Sequence, residues 1–288
     1  MVDLKANDRQ SHRLVGRIRQ LAEVLSSRLT VSGHSPESLL EGSYTTLLVR
    51  KGHRVLDFDL HLLRLTDPAA GGDPVDASSI AARLLETLET QQLDTARVRL
   101  TRSRSRLFAS LAPHDPLPAR LYERGVSCET VALTRSSPDR KDTRFLAAAA
   151  SAREGFGADV HEGLMTTGKG ALLEGLSSNF FGVLGGELRT ARDGVLPGLT
   201  RRRVLELAAD LVPIRLEPIG SGERRAIGEA FLTSASRGVL PVVTIDAVPI
   251  GDGLPGAVTQ RLGELLEVSR DRDAVALADI ASPGLQKS

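Results

Sequence analysis

The sequence predicts an α+β chain with room for two ordinary domains, and three observations lead there. The chain has 288 residues, 41% of them hydrophobic, enough to bury real cores. Apolar residues recur at helical spacing in some stretches and alternate with polar ones in others. A short polar stretch with a proline, Ser136-Ser137-Pro138-Asp139, reads as a linker. It divides the chain into an expected small N-terminal α+β domain over 1–135, a linker over 136–139 and a larger C-terminal domain over 140–288.

The elements follow in order. Val15, Ile18, Leu21 and Leu25 stand at helical spacing, so a helix is expected over 15–28. TTLLV, a KGHR turn and VLDFDL predict a hairpin, and the following HLLRL predicts the start of a helix. After the Pro/Gly-rich loop DPAAGGDPVD comes SSIAARLLETLETQQL, an amphipathic helix capped at Ser78 or Ser79. ARVRLTRS and VSCETVALTR alternate and read as strands of the first domain. Beyond the linker, an Ala-rich helix opens at Asp142 or Thr143 and ends near Gly155 or Gly157. Hairpins turning at Gly168-Lys169-Gly170 and Gly185-Gly186 come next. GLTRRRVLELAADL is a helix capped by Thr200, IRLEPI and AFLTSA are strands, AVTQRLGELLEVSRD is a closing helix, and ASPGLQKS is a loose tail.

Charge and cysteine content narrow the function. Thirty-seven Lys and Arg against 36 Asp and Glu leave a formal charge of +1, so no strong field recruits nucleic acid. The apolar stretches fall short of the roughly 18 residues that a membrane span needs, and MVDLKANDRQSHR lacks the apolar core of a signal peptide. The single cysteine, Cys128, excludes an internal disulfide and a multi-cysteine metal site. No metal is expected, and a reducing cytoplasm is the expected location. With only five lysines beside 32 arginines, each lysine draws notice.

The most informative segment is EGLSSNFFGVLGGELRTARDGVLPGLTR, residues 174–201. An acidic residue opens a small-residue turn that ends in Asn179 and an aromatic strand. Gly198-Leu199-Thr200 then leads into a helix, whose N-terminal N–H groups suit a phosphate. Acidic residue, small turn, Asn and aromatic strand, Leu188-Arg189-Thr190, and Leu196 to Arg201 together resemble the signature of class IV, fold type IV, pyridoxal-phosphate aminotransferases. That group includes branched-chain and D-amino-acid aminotransferases and aminodeoxychorismate lyases. Lys141, 33 residues before Glu174, matches the family's Schiff-base lysine. His61-Leu62-Leu63-Arg64-Leu65 resembles its His-x-x-Arg-Leu, Ser43-Tyr44-Thr45-Thr46 its aromatic-x-Thr segment, and FLTSASRGVLPV its phosphate-cup turn.

The resemblance implies a two-domain fold with pyridoxal 5'-phosphate at the domain interface. Lys141 would be catalytic and bind the cofactor. Arg64, Leu199, Thr200, Ala235 and Ser236 would hold the phosphate. Glu174 would face the pyridine nitrogen, and Tyr44 and Arg102 are substrate candidates. Arg suits phosphate because its planar fork meets two oxygens at once, and Lys141 must lose a proton before it acts as an amine. The implied activity is an aminotransferase working on an amino acid and 2-oxo acid pair, in a homodimer. An aminodeoxychorismate-type lyase is the alternative within the family, and a non-catalytic binding or scaffold member is the alternative outside it. Several features depart from the pattern. Phe145 stands near the position of a tyrosine that bonds the cofactor's ring hydroxyl. The usual N-terminal strand is not visible, and Arg102, Arg104 and Arg106 are out of step with a substrate-carboxylate pair.

Overall fold

The computed structural model describes residues 20–25, 28–32, 41–65, 75–103 and 106–282. Residues 67–74 of the Pro/Gly-rich loop, Arg104 and the tail beyond Ser282 lie outside them. The chain forms two compact units: residues 1–115, 141–144 and 270–288 in the first, and 116–140 and 145–269 in the second.

In unit 1 the strands are β1 (Gln20–Leu25), β2 (Arg28–Ser32), β3 (Ser43–Arg50), β4 (Arg54–Val55), β5 (Ala96–Ser103) and β6 (Arg106–Pro113), with helices α1 (Phe58–Leu63) and α2 (Ala77–Thr90). They form an antiparallel sheet in the order β4-β3-β5-β6-β1-β2, extended beyond β4 by the short strand Val275–Ala276. Alternation along β3 and β5 sends Leu47, Val49, Val98 and Leu100 to one face. There they meet Ile80, Leu84 and Leu88 of α2, which recur at helical spacing, and Leu277 of the C-terminal helix Leu277–Ala281.

Three local expectations are corrected in this unit. The helix expected over 15–28 is not formed where the chain is described, since Gln20–Leu25 is a strand. Five rungs to β6 and five to β2 satisfy its backbone, and that pairing overrides a weak helical periodicity. HLLRL does not start a helix but closes one, with Arg64 at the C-terminal cap of α1. The cap of α2 is Asp76, not Ser78 or Ser79. Its carboxylate accepts from the Ser78 backbone N–H at 3.1 Å because the chain becomes helical at Ala77, before either serine could cap it.

Unit 2 contains β7 (Val126–Val131), β8 (Val160–Thr166), β9 (Leu172–Gly175), β10 (Asn179–Leu184), β11 (Glu187–Arg189), β12 (Ile214–Arg215), β13 (Ile227–Ser234) and β14 (Gly238–Ile245). Its helices are α3 (Ala119–Arg124), α4 (Arg144–Glu154), α5 (Leu199–Ala208) and α6 (Ala257–Asp273), and α6 runs on into the residues of unit 1. The sheet order is β12-β11-β10-β13-β14-β7-β8-β9, and β10 also bridges β9 at Asn179↔Glu174. The path from β10 through β13, β14, β7, β8 and β9 therefore closes into a ring of six strands. Phe180, Leu232 and Leu240 pack on one side of it, and their neighbours Phe181, Phe231 and Val239 pack on the other with α5 and α6. Strands buried on both faces read as near-continuous apolar runs, as NFFGVL does.

The turns at 168–170 and 185–186 form as expected. IRLEPI contributes only two strand residues, and AFLTSA lies within β13 apart from its final alanine. β7, read from sequence as a strand of the first domain, pairs in parallel with β14 and β8 and belongs to the second sheet. Parallel partners lie far along the chain, so local patterning carries no trace of them.

Candidate active site

In unit 2 the register collects the signature residues at one end of the ring. Asn179 pairs with Glu174 on one side and Thr233 on the other, and Thr233 pairs with Val239. Glu174 is 1% exposed. Its Oε1 accepts from Arg135 Nε at 2.7 Å, and its Oε2 accepts from Asn179 Nδ2 at 2.9 Å and the Leu196 backbone N–H at 3.1 Å. These charge-assisted donors favour the anion. Arg135, which the sequence reading missed, also stacks on Phe145, 3.7 Å from the ring centroid.

Asn179 Nδ2 also donates to the Leu196 carbonyl at 2.8 Å, tying the signature turn to the loop that enters α5. The N-cap of α5 is Gly198, not Thr200. A Cβ at Gly198 would sit 2.0 Å from Asn179 Oδ1, so glycine alone allows this approach. Leu199 and Thr200 are the first two residues of the helix, where N–H groups have no acceptor within the helix. Arg201 donates to the Ala191 carbonyl at 2.8 Å. Burial lowers its guanidinium pKa while Glu174 pulls the other way.

Ala235 and Ser236 occupy the turn from β13 to β14. Arg237, next in the chain, anchors this turn by donating to Ser177 Oγ and Glu162 Oε2, each at 3.0 Å. Glu162 is 1% exposed and also accepts from Ser177 Oγ and Arg153. Burial would raise its carboxyl, but Arg237, Arg153 and Ser177 hold it below the ordinary glutamate value.

In unit 1 Lys141 lies beside the start of β3. Its carbonyl accepts from the Tyr44 N–H at 2.8 Å, and the Thr143 N–H donates to the Gly42 carbonyl at 3.0 Å. A Cβ at Gly42 would fall 1.9 Å from the Arg102 carbonyl oxygen, so glycine is required there as well. The Lys141 ammonium lies 5.1 Å from the Tyr44 ring centroid, and the Arg99 guanidinium lies 4.8 Å from it. Arg64 belongs to the same cluster. Burial pushes its guanidinium down and Tyr44 acts against that. His61, buried with Nδ1 2.7 Å from Thr45 Oγ1, is lowered to about 3 by burial, then by Arg64 and Lys141. Unit 1 thus brings together Lys141, Arg64 and Tyr44, and adds His61 and Arg99. Arg102 is not brought to Tyr44; it lies opposite Ser43 and donates to the Leu65 carbonyl at 3.4 Å. Alternation along β5 is the signal that separates Arg99 from Arg102.

Each unit, taken by itself, carries donors that suit an anionic, phosphorylated ligand. Unit 1 supplies cations around Tyr44. Unit 2 supplies helix N–H groups and two buried polar atoms, Arg135 Nη1 and Thr233 Oγ1, with no hydrogen-bond partner among the described residues. Among those residues no His/Cys/Asp/Glu group could hold a metal, and no helix is long and apolar enough to cross a membrane.

Comparison with solved structures defines the class of fold. The chain superposes on a T.th. branched-chain amino acid aminotransferase, solved with pyridoxamine 5'-phosphate, with a TM-score of 0.76 at 16% identity, covering 90% of this chain and 98% of that one. A putative branched-chain amino acid aminotransferase from Thermotoga maritima gives 0.73 at 22% identity, covering 88% and 96%. Both show the fold type IV architecture. In sequence, a putative branched-chain-amino-acid aminotransferase from Methanocaldococcus jannaschii is 27% identical over 241 residues, 76% of this chain and 84% of that relative. The branched-chain-amino-acid aminotransferase of Escherichia coli is 26% identical over 155 residues, 51% of this chain and 50% of that enzyme. The family model for amino-transferase class IV matches residues 42–245. The chain belongs to the class IV aminotransferase family, whose cofactor is pyridoxal 5'-phosphate.

Proposed function

We propose that this chain moves an amino group between an amino acid and a 2-oxo acid, with Lys141 as the residue that carries the cofactor. The observation that carries the reading is the position of Lys141 within this family member. Its ammonium packs against Tyr44 in a cluster with Arg64 and Arg99, where a surface lysine would have no cause to gather arginines. When bound, pyridoxal phosphate supplies an aldehyde that condenses with amines and a ring that withdraws electrons.

The chain's own residues divide the remaining work. Arg64, the N–H groups of Leu199 and Thr200, and the Ala235-Ser236 turn bind phosphate. Glu174, kept anionic by Arg135, Asn179 and Leu196, holds the proton at the ring nitrogen. Lys141 moves the proton at the substrate Cα. Tyr44 and Arg99, in place of Arg102, meet the substrate and its carboxylate. His61, neutral and bonded to Thr45, fixes α1 and so the placement of Arg64. A homodimer and a cytoplasmic location complete the proposal. The Arg-rich strand β5 and the single, buried cysteine support them.

The relatives are named for branched-chain amino acids, so those are the first substrates to test. In a single-turnover panel of branched-chain amino acids, glutamate and alanine, at least one should bleach the visible band of the loaded protein and yield its 2-oxo acid. In a parallel assay with β-chloroalanine, whose chloride can leave from Cβ, release of pyruvate, ammonia and chloride with the visible band retained would instead establish elimination. A loaded protein inert to every amino acid would contradict both.

A further inference from the structure

We propose that Arg135 is a further cofactor-directed residue, a buried cation beside Glu174 that sets the ionisation of the bound ring. The inference rests on the reading of Glu174 as the carboxylate that meets the ring nitrogen. The side chains of Arg135 and Glu174 pair while 6% and 2% exposed respectively. Only part of its fork is used there. Nε donates to Glu174 Oε1 at 2.7 Å, while Nη1 is buried with no hydrogen-bond partner among the described residues. A buried guanidinium N–H without an acceptor is unfavourable, so a residue serving only as the counter-charge of Glu174 would leave that atom in water. Phe145 lies against the guanidinium, 3.7 Å from ring centroid to Cζ. It holds the fork on one face and offers no donor of its own. What remains is a charged donor, fixed in place next to Glu174 and lacking an acceptor.

The chemistry of the missing acceptor follows. A guanidinium favours an anionic oxygen, and on the cofactor that oxygen is the ring hydroxyl in its ionised form. A cation within about 4–6 Å lowers the pH at which such a group ionises. Arg135 therefore keeps the bound ring in its anionic form down to lower pH.

The test is to load wild type, Arg135→Met, Arg135→Gln and Arg135→Lys with pyridoxal phosphate and titrate the visible band against pH. Cofactor affinity and the thermal midpoint of each protein without cofactor are measured alongside. Removing the charge should raise the midpoint of the band by about 1–3 pH units. Arg135→Gln keeps a donor for Glu174 and should still show the rise, so the proposal stays testable if Arg135→Met does not fold. Arg135→Lys should restore most of the wild-type midpoint. An unchanged midpoint in Arg135→Gln, with only the thermal midpoint lowered, would overturn the proposal and leave Arg135 a structural partner of Glu174. A wild-type protein that takes up no cofactor would overturn the underlying reading, and this proposal with it.

Discussion

Glu162 and His61 are buried ionisable residues, one held charged and the other neutral, and each yields a prediction. Glu162 stays anionic among Arg237, Arg153 and Ser177. Glu162→Ala leaves two guanidiniums without their buried counter-charge and should destabilise the protein by about 3–5 kcal/mol. Glu162→Gln should be milder, as it keeps an acceptor for Ser177. Denaturant unfolding of both variants checks the ranking. His61 is kept neutral, with its pKa lowered to about 3 from an unfolded value of 6.5. Below pH 6.5 the unfolded chain takes up a proton there that the folded chain refuses. The stabilisation is therefore complete above pH 6.5 and falls by about 1.4 kcal/mol per pH unit towards pH 3. His114, also lowered by burial, adds to the same window, so the contribution of His61 is read by difference. His61→Gln should flatten the loss of stability between pH 6.5 and 4.5. An identical slope in both proteins would show that His61 titrates normally.

Among the elements, α5 and its entry loop concentrate the most constraint. Gly198→Ala places a methyl 2.0 Å from Asn179 Oδ1, so either the helix start or the Asn179–Glu174 contact must move. Overpacking of this kind costs about 1–3 kcal/mol, and we expect a lower thermal midpoint together with weaker cofactor uptake. Gly186→Ala, whose Cβ meets nothing within 4 Å, is the control for backbone strain, since Gly186 has φ 79°. It should destabilise without changing uptake. The elements legible in the sequence are those fixed locally: the hairpins at 168–170 and 185–186, the helices α2, α4, α5 and α6, and the alternating β5. Those misread depend on partners far along the chain. Gln20–Leu25 becomes a strand through β6, and β7 joins the second sheet through β14 and β8. The site divides the same way. Lys141, Glu174 and the start of α5 stand in a motif and could be read. Arg135 and Arg99 could not, because a loop delivers one to Glu174 and strand register delivers the other to Tyr44.

For the whole molecule, the claim is a homodimeric enzyme whose chemistry passes through a single lysine. Sedimentation should show a dimer at working concentration, and a monomer with full activity at nanomolar concentration would refute that part. The lysine itself is the sharper matter. Among the described residues Lys51 lies in the β3–β4 turn and Lys169 in the β8–β9 turn, both ordinary sites for a solvated charge, whereas Lys141 packs on Tyr44. Borohydride reduction of the cofactor-loaded protein, followed by proteolysis and peptide mapping, fixes the cofactor to whichever lysine carries it. The label should fall on the peptide containing Lys141 and vanish in Lys141→Ala, which should still fold. Label on Lys51 or Lys169, or undiminished labelling of Lys141→Ala, would contradict the account.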